Sequence, residues 1–152
     1  MVSAAGLTTI LVPNDYGYVL LVALGLVPLL SFAQGTVAGQ LRKAAKTPYP
    51  NHYASAQQVK ESRDAYKYNC AQRAHGNLME HMPQTIAYML VAGLVYPRAT
   101  AISGLGWVVS RALFAYGYIT SEKPNGRGRY LGMPYYASSL LSGAWLLLLG
   151  ES

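Results

Sequence analysis

Long apolar stretches alternate with short polar ones along this chain. Residues 16–33 form an apolar run of about 18 residues, roughly 27 Å as a helix and close to the span of a bilayer core. Pro13-Asn14-Asp15 precedes it as a helix-start signal. Pro28 predicts a kink, which neighbouring helices tolerate in a membrane, and a basic extension carries the helix to about Lys46. The one long polar segment, Thr47 to Ala65, is broken by Pro48 and Pro50. A second helix is predicted from about Asp64 to Tyr96 with Pro83 inside it, then a tight turn at Pro97-Arg98-Ala99. A third follows from Thr100 to about Thr120, a Gly/Pro/charged loop from Ser121 to Tyr130, and a fourth helix from about Leu131 to Leu149. The expected fold is all-α: an integral-membrane, antiparallel four-helix bundle in one domain, residues 1–152. Gly17, Gly25, Gly35 and Gly39 are small enough to be its close helix contacts.

Composition strengthens the membrane reading. The chain is 52% hydrophobic and only 12% charged, about half the charged share of a soluble domain. Ser31-Phe-Ala33 resembles a signal cleavage site, but the basic residues follow the apolar run instead of preceding it. A retained membrane helix is expected. The net charge of +6 is not a nucleic-acid footprint, because the cations collect between apolar runs without interleaved aromatics. Arg42, Lys43, Lys46, Lys60, Arg63 and Lys67 lie in the first connection and Lys123, Arg127 and Arg129 in the third, against Arg98 alone on the other side. The positive-inside rule then puts both basic loops in the cytosol and both termini on the lumenal side.

Arg73, Asn77, Glu80 and Gln84 fall within about 60° of arc on the second helix. Charge in hydrocarbon costs a few kcal/mol unless it is paired or lines a wet cavity. Arg73 and Glu80 are two turns apart, too far for an ordinary i,i+4 pair, so the stripe is expected to stay spread and to suit a small zwitterion. Gluing the helices together is the equal alternative on spacing alone. On the third helix Trp107, Arg111, Phe114 and Tyr118 share a side. Arg111 lies deep enough to need a partner, and Glu80 has the right charge. Tyr118 taken alone fits an interfacial aromatic belt, and Arg127 and Arg129 fit lipid headgroups. His52, His75 and His81 have no metal-ligand spacing, so no metal is expected. Cys70, the single cysteine, reads as a small interior residue lacking an activating base.

Arg73-Ala-His-Gly-Asn77-Leu-Met-Glu80, Asn69-Cys-Ala-Gln-Arg-Ala-His75, Asp15-Tyr-Gly-Tyr-Val-Leu-Leu21 and Arg111-Ala-Leu-Phe-Ala-Tyr-Gly-Tyr118 together resemble the MAPEG family, the membrane-associated proteins of eicosanoid and glutathione metabolism. The branch they resemble is the microsomal glutathione S-transferase 3 type. That resemblance implies a homotrimer in the endoplasmic reticulum membrane with glutathione between subunits near the cytosolic surface. Arg73, Asn77, Glu80 and Tyr118 would hold it, joined by Arg42 of a neighbour, with His75 and Arg111 as further candidates. The carboxylates and ammonium of glutathione complement Arg and Glu. Arg129, with Arg127 as the alternative, would stabilise the thiolate. The implied activity is glutathione transfer to lipophilic electrophiles, or reduction of lipid hydroperoxides, with glutathione as co-substrate. Phe114 departs from the tyrosine several relatives carry, which argues against copying the leukotriene-synthase pocket here. The rival reading is a non-catalytic lipid-binding scaffold like the family's lipoxygenase-activating member. A channel or transporter subunit is the remote third, since no inverted repeat is visible.

Overall fold

The computed structural model describes residues 11–121 and 124–135. Its elements there are helical: α1, Tyr16–Ala44; a short α2, Ala56–Glu61; α3, Arg63–Ala92; α4, Pro97–Thr120; and 3-10 turns over Pro124–Tyr135. Consecutive long helices run antiparallel, which leaves α1 and α4 parallel to each other. Tyr16 donates its hydroxyl to the Leu90 carbonyl at one end (2.9 Å), and the Gln34 amide donates to the Arg111 carbonyl further along (3.2 Å).

Local chemistry explains the boundaries. Leu21–Leu26 is a π-helical turn, whose wider spacing just ahead of Pro28 accommodates a ring that clashes with the i−4 carbonyl of a regular helix. Pro28 itself sits in the first turn of the regular helix that follows, Val27–Ala44. Lys46 closes α1 with a left-handed φ of 51°, and the Thr47 and Lys46 amides reach back to the Arg42 and Lys43 carbonyls, a Schellman stop. The polar connection is better ordered than a plain loop. Ser55 and Gln58 form a reciprocal capping box at α2. Asn69 clamps both backbone groups of Ala54 (2.8 and 3.0 Å), and the Tyr68 hydroxyl donates to the His52 carbonyl (2.7 Å). Ser62 caps α3.

Two boundaries differ from the pattern-based expectation. The second helix stops at Ala92, four residues before Tyr96, and the turn lies at 93–95. Gly93 is pressed against Val19, so a Cβ there would sit 2.8 Å from a valine methyl. Pro97 then opens α4 instead of forming the turn, because its missing N–H costs nothing in a first helical turn. Within the expected loop 121–130 and the first residues of the expected fourth helix, Pro124–Tyr135 forms 3-10 turns lying along α4; the remainder of that helix, 136–149, lies outside the described residues.

Close approach happens at unexpected glycines. Gly17 and Gly39 have open space where a Cβ would go, and Gly25 meets only Leu21 of its own helix. Of the four anticipated contacts, Gly35 alone touches another helix, at His75 (3.6 Å). The tight points are Gly104 under Met89 and Val22, and Gly117 against the Gly128 carbonyl, where a Cβ would sit 2.2 Å away.

Val19, Val22, Val27, Leu78, Met89 and Trp107 form the centre of a thin core. Large side chains such as Leu24, Leu29, Phe32 (75% exposed) and Ile102 point outward. So much outward apolar surface is a liability in water and the solvated face of a protein in lipid. Among the described helices α1 alone joins sufficient length to a spanning mean hydropathy, 2.0; α3 is diluted by the polar stripe it carries. The connection 45–62 and the turns at 124–130 meet at one end of the helices, where Tyr66 approaches Gly126. Arg98 pairs with Asp15 at the other end (2.7 Å).

Candidate functional site

The polar stripe of α3 is a connected network. Arg73 Nη1 donates to Glu80 Oε1 at 3.0 Å, so the pair judged too far apart closes across two turns. Arginine's long stem supplies the reach that a side-chain spacing rule built on i,i+4 neighbours leaves out. Both side chains are half exposed, 51% and 52%, so the pair contributes at most about 1 kcal/mol and opens readily for a ligand. Asn77 Nδ2 donates to Glu80 Oε2 (3.5 Å), and Arg111 Nη1 donates to Asn77 Oδ1 (2.6 Å). Arg111 is 3% exposed and lies over the Trp107 ring (5.1 Å). Across the helices it meets Asn77, which in turn donates to Glu80, the expected partner.

A second wall comes from the end of α4 and the 3-10 turns. Tyr118 meets Phe114 edge to face (5.6 Å). Arg129 lies 5.9 Å over the Tyr118 ring and 4.5 Å over Tyr130, and its guanidinium donates to the Gly126 carbonyl and the Tyr130 hydroxyl (3.0 and 2.9 Å). Gly126 holds φ +63° directly under Tyr118, where a Cβ would come within 2.2 Å of the ring; glycine alone suits both demands. Arg127 is exposed to solvent. Arg73 and Arg129 both lie within electrostatic range of Tyr118, which links the two walls.

Arg73, Asn77, Glu80, Arg111, Tyr118 and Arg129 are thus neighbours along one side of the molecule. Arg42 and His75 are elsewhere. Arg42 is sandwiched between Tyr49 (4.3 Å) and Tyr68 (5.1 Å), with Nη1 buried and without a hydrogen-bond partner among the described residues. His75 faces Gly35 of α1, on the opposite side of α3 from Arg73, as helix arithmetic required.

Sequence reasoning passed over Tyr66. Its hydroxyl meets the buried Cys70 thiol and the backbone of Gly126, and with Val59, Asn69 and Tyr118 they line an open pocket of about 290 Å³. The signal was present: Tyr66, Cys70, Arg73 and Asn77 recur at i, i+4, i+7 and i+11, the period of one helical face. Among the described residues no three His, Cys, Asp or Glu side chains converge as a metal site would need.

A model of the MAPEG family matches residues 20–149, which takes in α3, α4, α1 from its second turn onward, and both walls. The chain belongs to the MAPEG family. No solved structure matches the chain. MAPEG proteins are membrane-associated, use glutathione, and include glutathione transferases and related enzymes.

Proposed function

We propose that this MAPEG protein is a membrane glutathione transferase and peroxidase of the microsomal glutathione S-transferase 3 type. The observation that carries the reading is the convergence of two walls at one basic end of the bundle. One wall, Arg73–Asn77–Glu80, offers cation, amide and anion in the order a tripeptide zwitterion needs. The other carries Arg129 stacked beside Tyr118. Glutathione displaces the solvent-exposed Arg73–Glu80 pair, its carboxylate taking the guanidinium and its ammonium the carboxylate. Asn77, anchored by buried Arg111, fixes the register between them.

Arg129 supplies the charge that favours thiolate over thiol. A thiol of pKa about 8.5 is roughly 3% ionised at pH 7, and lowering it by two units raises that to about three quarters. The thiolate attacks the electrophilic carbon of a lipophile arriving from the bilayer. A C–S bond forms, the leaving group departs with its electron pair, and the thiol proton goes to solvent. With a hydroperoxide, two glutathiones are oxidised to the disulfide while the O–O bond breaks to give an alcohol and water.

In this reading the fold is an antiparallel four-helix bundle. Three copies assemble so that Arg42 of one, with its unsatisfied Nη1, reaches the glutathione of the next. The basic end faces the cytosol from the endoplasmic reticulum membrane, with both termini lumenal. Conjugation by purified protein in detergent tests the assignment. Arg129→Ala should lower turnover at least tenfold while leaving glutathione-dependent thermal stabilisation in place, and Arg127→Ala should change it less than threefold. Full activity in both variants would remove the thiolate role from this loop. No stabilisation by millimolar glutathione would favour the lipid-binding scaffold.

A further inference from the structure

One ligand reaches both walls only if Arg129 stands at a fixed distance from α3, and backbone packing does not set that distance. The turns at Pro124–Tyr135 lie along α4 and scarcely touch α3. Within the turns Arg129 is held by its own segment, with Nη1 on the Gly126 carbonyl (3.0 Å) and Nη2 on the Tyr130 hydroxyl (2.9 Å). Whatever places Gly126 therefore places the guanidinium. Gly126 has no side chain to be held by, and its positive φ under the Tyr118 ring leaves room for none. A grip on it has to come through its backbone.

Tyr66 supplies that grip from α3. It stands in the first turn of the helix, and its hydroxyl meets the Gly126 backbone on one side and the Cys70 thiol on the other. Cys70 lies one turn further along α3 and is buried, so the hydroxyl is tied to its own helix as well as to the turns. Tyr66, Cys70, Tyr118 and Gly126 line the same open pocket. The helix that carries Arg73, Asn77 and Glu80 is thus joined to the residue on which Arg129 rests.

We infer that Tyr66 is a positioning residue for the thiolate, setting the reach of Arg129 from the α3 wall through Gly126. The inference rests on the glutathione reading and adds a residue to it. The role is indirect: Tyr66 holds Gly126, Gly126 holds the guanidinium, and the guanidinium favours thiolate by an amount that falls with distance. Loss of the one hydroxyl acts on thiol ionisation and leaves the contacts along α3 alone.

The test is Tyr66→Phe in the full chain in detergent, which keeps the ring. With an activated aryl chloride as electrophile, half-maximal turnover should move up by about one pH unit, a loss of about fivefold to tenfold at neutral pH that recovers in alkali. KM for glutathione should stay within about twofold. A weakened fold would instead lower turnover alike at every pH. Facing this end are Tyr118 on α4, Tyr66, Cys70 and Arg73 on α3, Tyr53 on the connection and Tyr130 beside Arg129. Of these only a cysteine ordinarily titrates in the range of the glutathione thiol, and Cys70→Ala should leave the profile where it is. In an Arg129→Ala background Tyr66→Phe should change turnover less than about twofold, because its route runs through that guanidinium. Hydrogen exchange reads the tie without any ligand: amides 124–130 should exchange at least about fivefold faster in Tyr66→Phe, with the middle of α3 unchanged. Unchanged exchange overturns the tie. An unmoved pH profile, or a loss that adds in full to that of Arg129→Ala, overturns the positioning role. Faster exchange in a protein whose wild type is neither stabilised by glutathione nor active with it removes the glutathione reading itself, and the part of Tyr66 in the reaction goes with it.

Discussion

Arg111 and Arg73 carry the same group under opposite conditions, and their neighbours show it. Arg111 is buried over Trp107 and bound to Asn77; Arg73 is half exposed and bound to Glu80. Loss of a partner matters far more in the first setting, because a buried charge retains its desolvation cost when a hydrogen bond is removed. Asn77→Ala should therefore destabilise the protein by about 1–3 kcal/mol, and Glu80→Gln by less than about 1 kcal/mol. Both should weaken glutathione binding. Thermal unfolding in detergent with and without glutathione separates the two effects, and equal stability losses would contradict the division drawn here. The stripe itself was legible because helical periodicity depends only on spacing. The closure of Arg73 on Glu80 was not, since it depends on the side chain's extension and on what else competes for it. Tyr66 was legible and overlooked: an aromatic at a helix start is easily dismissed as an interfacial anchor.

At the level of elements, the turns at 124–135 place Arg129, and glycines let them lie close. Gly128 and Gly117 approach so nearly that a Cβ on Gly128 would come within 2.0 Å of the Gly117 carbonyl. Gly128→Ala must push the segment outward and carry Arg129 off Tyr118. Turnover should fall at least tenfold while glutathione binding, assigned mainly to α3 in the proposed reading, stays within about twofold. Gly39→Ala, with open space around it, should leave activity unchanged and is the matched control. Steady-state kinetics beside a glutathione titration reads both. Helix existence was well specified by apolar run length, and ends were less so. The stop at Ala92 depends on Val19 reaching Gly93, a contact between residues 74 positions apart in sequence. Likewise nothing in the sequence separates Gly17, whose Cβ position meets nothing among the described residues, from Gly104, which meets Met89; small residues permit contact and do not choose it.

For the whole molecule, the outward display of Phe32, Leu29 and Ile102 makes the bilayer part of the folding solvent, and the two ends differ sharply. One holds the basic connections, the other an Asp15–Arg98 pair. In the proposed reading the positive-inside bias puts the basic end in the cytosol. Cys70 is buried, so it is a quiet background for single-cysteine labelling. Lys60→Cys should react with an impermeant maleimide added from the cytosolic side of intact microsomes. Val12→Cys should react only after permeabilisation. The reverse pattern would invert the topology and put the glutathione walls on the lumenal side, away from the cytosolic glutathione pool.

The π turn at Leu21–Leu26 has a consequence for length. Such a turn accommodates one extra residue in a helix, and it joins the segment bearing Tyr16 to the segment bearing Gln34. Deleting one residue inside Leu21–Leu26 would restore ordinary winding and keep both flanking segments facing their present neighbours, with the strain confined to Pro28. Deleting one residue elsewhere in α1 would swing the remainder by about 100° and take Tyr16 away from Leu90. A single-residue deletion scan of α1, scored by the yield of folded protein, should find one tolerant window there, the signature of a helix that carries a spare residue.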